Sequence, residues 1–219
     1  MRSAFDRRVV SDQALDLVRA CQRRVPCHLA GGAALSGAHL SHRLSGDLDL
    51  FCHRAEDVRE LVRALPAIAS DCAIAIDLVR DAGTFVRARV DLPGRALDLD
   101  LVHESNPDIE APPAPLEGVV IESLADLRAA KLTCLLSRSE PRDLVDLMFL
   151  ERAGFPPDRD LPLALQKDGG IDPGVLAWLL GQFPVRPLPM MLVPLTEDDL
   201  TRYRDDLRER LRKMAVPEG

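Results

Sequence analysis

The segment 29–51, LAGGAALSGAHLSHRLSGDLDLF, constrains this chain more than any other. Its end, SGDLDLFC, alternates strictly, which predicts a strand with Leu48 and Leu50 on one side and Asp47 and Asp49 on the other. Carboxylates at i and i+2 of a strand share a face, with Cα atoms about 6.5–7 Å apart. Their oxygens can converge on one or two hard cations, and magnesium favours a couple of carboxylates plus substrate phosphates over a closed protein cage. A bare D-x-D also fits the wet face of any half-buried strand. Two further features point to chemistry. Gly31-Gly32 ends a short apolar run and opens a helical one, where backbone N–H groups favour a phosphate. Downstream, RALDLDLV (95–102) places Asp98 and Asp100 on one strand face, so either can supply a third carboxylate. Carboxylates crowded in this way repel one another unless a cation neutralises them.

The rest of the chain reads as two parts. A Ser/Asp cap and apolar residues at helical spacing predict a helix over 11–24. A short strand follows to Ala30, then a helix over 33–42, the D-x-D strand, and an amphipathic helix over 54–69. Three β-like runs, 73–80, 84–92 and 95–102, are separated by Asp81-Ala82-Gly83 and Leu92-Pro93-Gly94, which predicts an antiparallel meander. The proline-rich stretch 106–118 is a loop. Beyond it the pattern is helical: one helix capped by Ser123, one capped by Ser139 with Pro141 in its first turn and Gly154 at its stop, and weaker ones over 159–168, 172–183 and 196–214. The expected fold is α+β, a small mixed sheet with flanking helices over 1–121, followed by a helical part over 122–219. Trp178 is expected in the core beside Leu176, Leu179 and Leu180. The charged end, TRYRDDLRERLRK, reads as a solvated helix whose arginines are available to a phosphate backbone.

Composition narrows the function. The formal net charge of −7 argues against a plain DNA-binding module. No apolar run approaches the ~20 residues of a membrane helix, and the charged start lacks the apolar stretch of a secretory signal, so a cytoplasmic protein is expected. The five cysteines are scattered without a C-x-x-C pair, which argues against a disulfide framework or zinc knuckle. Cys27-His28 and Cys52-His53 are therefore read as packed thiols rather than as a metal site.

Lys131 and Arg138 lie seven apart on one predicted helix, and Asp143 and Asp146 share a face of the next. Taken alone, that pattern is a helix–helix salt bridge, worth only ~0–1 kcal/mol at a surface. Together with the first segment it carries a resemblance. Gly31, Gly32, Arg43, Ser45, Asp47 and Asp49 form a GG…R-x-S-x-D-x-D run, and 123–150, SLADLRAAKLTCLLSRSEPRDLVDLMFL, supplies a lysine, an arginine and R-D-x-x-D-L. The two blocks resemble the AbiEii/AbiGii-type nucleotidyltransferases of the polymerase-β-like superfamily, a group that includes MenT-like toxins of bacterial toxin–antitoxin systems. The resemblance implies the nucleotidyltransferase fold, with Asp47 and Asp49 binding Mg2+. It places Gly31, Gly32, Arg43 and Ser45 against a nucleoside triphosphate, Lys131 on its phosphates and Asp146 at the family's second acidic position. Of the two candidates for third carboxylate, Asp100 fits the family pattern better than Asp98. The implied partners are a nucleoside triphosphate, an RNA acceptor such as the 3′ end of a tRNA, and a cognate antitoxin. The same chemistry on a small-molecule acceptor, as in aminoglycoside-modifying relatives, and a catalytically inactive binding protein on the same scaffold are the alternatives.

Overall fold

The computed structural model describes residues 3–215. They fall into two compact units that divide between Ser123 and Leu124.

In the first unit, Ser11 caps helix α1 (Asp12–Gln22), its hydroxyl accepting from the Ala14 N–H. Strand β1 (His28–Ala30) leads into α2 (Gly31–Ala34), which winds on as a π-helical stretch (Leu35–Leu40). The left-handed Ser41 (φ 52°) stops it. Strand β2 (Asp47–Cys52) and helix α3 (Ala55–Cys72) follow, then β3 (Ala75–Asp81), β4 (Phe85–Leu92) and β5 (Arg95–His103). The sheet order is β1-β2-β5-β4-β3; β2 and β5 run parallel and every other neighbouring pair is antiparallel. The expected meander is β3-β4-β5, and β2, reached through the α3 crossover, pairs beside its last strand.

Alternation fixes which face goes inward. Leu48, Leu50 and Cys52 on β2, Val86, Ala88 and Val90 on β4, and Leu97, Leu99 and Leu101 on β5 are all buried. Helix α3 touches these three strands and buries Val58, Leu61, Leu65 and Ile68. Each such aliphatic side chain contributes about 1.5–3 kcal/mol on leaving water. The opposite face is therefore the polar one, and it carries the aspartates. Helix α3 runs three residues beyond the expected 69, because Ala73 adopts a left-handed cap (φ 52°) whose N–H reaches Ala69 and Ser70. Strand β3 accordingly starts at Ala75. It is the sheet edge, with Leu78 and Val79 exposed and a bulge between Leu78 and Arg80 that breaks the ladder available to another chain.

The second unit is helical: α4 (Leu124–Ser137), α5 (Pro141–Arg152), α6 (Leu161–Lys167), α7 (Pro173–Leu180) and α8 (Glu197–Ala215). Its core includes Leu127, Leu132, Leu135, Val145, Leu147, Leu150, Leu176, Leu180, Leu200, Leu207 and Leu211. Two expectations need correction. Trp178 is 66% exposed, because α7 buries the stripe Leu176, Ala177 and Leu180 and position 178 falls on the other side of that stripe. The cap of α5 is Glu140, not Ser139, and Pro141 takes the first helical position without a side-chain cap bond. Among the described residues, no helix is long and apolar enough to cross a membrane.

Candidate active site

The parallel register of β2 and β5 sets Asp47 opposite Asp98 and Asp49 opposite Asp100, so the two D-x-D pairs share the polar face of the sheet. On the other side of β5, Arg87 faces Asp100 and Arg89 faces Asp98. Arg87 grips Asp100 with both arms, Nε to Oδ1 at 2.7 Å and Nη2 to Oδ2 at 2.6 Å. Arg89 Nη1 donates to Asp98 Oδ1 at 3.1 Å. The hydrogen bond to Asp100, with the nearby charges of Asp98 and Asp47, raises the pKa of Arg87 above its ordinary value despite partial burial. Asp100 is 4% exposed, whereas the side chain of Asp98 is 32% exposed. Asp100 is thus the more enclosed of the two candidates and the direct neighbour of Asp49.

The glycine pair closes the site from β1. Antiparallel register puts Ala30 opposite Asp49, so the chain passes Asp49 as it turns into α2. Gly31 makes that turn with φ 62°, and a Cβ there would sit 1.9 Å from Asp49 Oδ2. A Cβ on Gly32 would lie 2.8 Å from both Ser45 Oγ and Arg43 Nη2. Only glycine lets backbone and carboxylate approach so closely. The Ser45 hydroxyl donates to Asp47 Oδ1 at 2.8 Å, which orients that carboxylate, and Arg95 donates to the Ser45 carbonyl. Ser36 holds the backbone of buried Arg43 from both sides, its hydroxyl donating to the Arg43 carbonyl at 2.6 Å and accepting from the Arg43 N–H at 3.3 Å. Gly31, Gly32, Arg43, Ser45, Asp47, Asp49 and Asp100 therefore lie in one neighbourhood. Its oxygen donors are hard, and two strands crowd four carboxylates onto one face. That donor set fits a hard divalent cation such as Mg2+ held by Asp47 and Asp49, with Asp100 adjoining.

Lys131 and Asp146 belong to the second unit and meet there. Lys131 Nζ lies 2.7 Å from Asp146 Oδ2 and 3.3 Å from Asp143 Oδ1. Arg138 completes the group through Asp143, at 2.8 and 2.9 Å. The pair expected at a surface is in fact interior, with the Lys131 side chain 4% exposed and both aspartates fully enclosed.

Sequence reasoning missed Arg87 and Arg89. The signal was present: a two-residue Pro93-Gly94 turn fixes the β4–β5 register, and counting back from it pairs 87 with 100 and 89 with 98.

Comparison with known proteins gives the family and the fold. The family of the nucleotidyl transferase AbiEii toxin, of type IV toxin–antitoxin systems, matches residues 16–218. Among solved structures, JHP933 from Helicobacter pylori is similar with a TM-score of 0.54 and 22% identity, covering 94% of each chain. MenT4, a nucleotidyltransferase toxin from Mycobacterium tuberculosis H37Rv, is similar with a TM-score of 0.55 and 16% identity, covering 96% of this chain and 89% of its own. At these identities the likeness is one of fold. No curated protein sequence matches significantly. The family match spans both units, and on that ground the chain belongs to the AbiEii nucleotidyltransferase toxin family.

Proposed function

We propose that this nucleotidyltransferase moves a nucleotidyl group from a nucleoside triphosphate to the 3′-terminal hydroxyl of a tRNA, using Mg2+, as the toxin of a cytoplasmic toxin–antitoxin pair. The observation that carries the reading is the register of Asp49 against Asp100, with Asp47 on the same face and Gly31 pressed against Asp49. Asp47 and Asp49 hold the cation, and Asp100 is the third carboxylate. A cation bound there neutralises phosphate charge and acts as a Lewis acid toward it. Ser45 keeps Asp47 in one orientation, so the carboxylates need little rearrangement to bind. Gly31 and Gly32 let Asp49, Ser45 and Arg43 close up to the backbone where α2 begins, and the Arg43 guanidinium against Gly32 adds positive charge for a phosphate. Residues 1–121 act as the catalytic domain and 122–219 as a helical domain. From the latter, Lys131 serves the triphosphate and Asp146 fixes the lysine, as the family resemblance implies.

The test is transfer of radiolabel from each of the four nucleoside triphosphates to tRNA, to other RNA and to a small polyol. Labelling of tRNA that requires Mg2+ and falls with added salt more steeply than any polyol labelling supports the reading. If only a small hydroxylated compound is labelled, the small-molecule reading stands instead; the acidic net charge of −7 and the single Trp and Tyr suit that outcome.

A further inference from the structure

The two Cys-His neighbours of the sequence sit side by side at the far end of β1 and β2 from the aspartates. Strand alternation splits them. Cys27 and Cys52 turn into the core. His28 and His53 turn the other way, their rings edge to face with centroids 5.5 Å apart. Asp108, from the proline-rich loop, reaches between them. Its Oδ1 lies 2.9 Å from His53 Nε2 and 3.9 Å from His28 Nδ1.

We propose that His28, His53 and Asp108 form a second metal site, for a borderline divalent cation of the zinc class. One ligand atom from each residue lies within 4.8 Å of the other two. Tetrahedral ligands at zinc bond lengths stand about 3.4 Å apart, a value bracketed by the two separations from Asp108 Oδ1, 2.9 and 3.9 Å. The tautomer points the same way. His53 Nδ1 lies 3.2 Å from the Glu104 carbonyl, and the tautomer that donates this hydrogen bond leaves the Nε2 lone pair toward Asp108. Its Nε2 then faces a carboxylate oxygen. A ring whose second nitrogen is fixed by a backbone carbonyl is the usual arrangement of a metal-bound histidine. The three side chains are 16%, 39% and 26% exposed, which leaves a water access to a fourth position.

Two imidazoles and one carboxylate select a cation softer than the one suited to the all-oxygen aspartate face. Asp49 and His53 are four residues apart along one strand direction, about 13 Å, so the two sites do not share ligands. When loaded, the second site ties the loop bearing Asp108 to the ends of β1 and β2.

The experiment uses full-length protein carrying Asp47→Asn and Asp49→Asn, so that the aspartate face does not contribute, after stripping with a chelator. Zinc is titrated in competition with a chromophoric chelator, and cobalt is added in parallel as a spectroscopic probe. One tight zinc equivalent is expected, with a rise in melting temperature. Both are lost in His28→Ala, His53→Ala and Asp108→Asn versions that keep the parent circular dichroism. The cobalt form should show visible ligand-field bands without a thiolate charge-transfer band. No tight equivalent in the parent, an equivalent retained by all three variants, or a cobalt–thiolate band each overturns the proposal. These readouts do not depend on nucleotidyl transfer, so failure here and failure of the proposed function are separate results.

Discussion

Replacing Lys131 by methionine removes the cation from a group whose two carboxylates are fully enclosed. Asp143 keeps the two-armed grip of Arg138, so the loss falls mainly on Asp146, whose Oδ2 lies 2.7 Å from the lysine nitrogen. Breaking one side of a buried ion pair costs about 3–5 kcal/mol, far above the ~0–1 kcal/mol of a surface pair. Replacing both partners by apolar residues of similar size is often nearly neutral, since the desolvation of both charges disappears with their attraction. Lys131→Met is therefore expected to lower unfolding free energy by about 3–5 kcal/mol, and Lys131→Met with Asp146→Leu to recover most of it. Urea unfolding followed by helical circular dichroism measures all four corners of the cycle. A single variant within about 1 kcal/mol of the parent, or a double variant as unstable as the single, would refute the buried-pair account. The double variant also separates structure from chemistry. If it is stable but binds a non-hydrolysable triphosphate weakly in calorimetric titration, the phosphate role proposed for Lys131 survives; normal affinity removes it.

Three other outcomes follow from the first unit. Asp47→Asn and Asp49→Asn should each abolish nucleotidyl transfer while leaving metal-free stability equal or higher, because each relieves repulsion on the shared face; near-normal turnover at saturating Mg2+ would dismiss the metal assignment. Gly31→Ala should cost about 1–2 kcal/mol for its φ of 62° and cut transfer by about 100-fold, since the new Cβ would stand 1.9 Å from Asp49 Oδ2 and must displace it; an active Gly31→Ala enzyme would contradict that crowding. Burial lowers the His39 pKa from 6.5 to about 4, so the folded state favours the neutral ring. The associated stability is complete above pH 6.5 and is lost as pH falls toward 4, by at most about 3 kcal/mol; His39→Leu should flatten urea midpoints over that window, and an unchanged profile would exclude the effect.

The β2 strand and the meander were legible because half-buried strands alternate and the Pro93-Gly94 turn marks its hairpin without help from distant residues. The neighbourhood of β2 and β5 was implied by their shared carboxylates, but the parallel register was not legible, since it depends on how the α3 crossover packs. The π-wound stretch 35–40 was equally hidden: LSGAHL has ordinary helical composition, and its widened winding ends at Ser41, whose N–H reaches back to the Ser36 carbonyl. Trp178 was misplaced because LAWLL is apolar all round, and periodicity cannot then choose a face. For the site, the residue types of the two blocks were visible, but their counter-charges were not. Arg87 reads as an ordinary strand arginine until register sets it opposite Asp100, and His28 and His53 read as isolated until the β1–β2 pairing brings them together.

That pairing of charges bears on the acceptor. The sequence offers the arginines of α8 to an RNA backbone, and Arg138 and Arg142 of the same unit are two further candidates. In the folded units Arg138 binds Asp143, and Arg142 Nε lies 2.6 Å from Glu140. On α8 four of the five arginines are paired, Arg202 with Asp199, Arg204 with Asp205, Arg210 with Glu151 and Asp158, and Arg212 with Glu209, while Arg208 lies beside Gly181. A phosphate that recruits one of the paired side chains replaces a carboxylate already beside it, and the released carboxylate becomes available to cations in the solution. Counterions freed from RNA are then partly offset by counterions gained by the protein. The salt dependence of tRNA labelling should therefore be shallower than a count of arginines suggests, while remaining steeper than that of an uncharged acceptor. For the proposed RNA acceptor, a net charge of −7 leaves affinity to a few well-placed contacts around the 3′ end rather than to a broad basic surface.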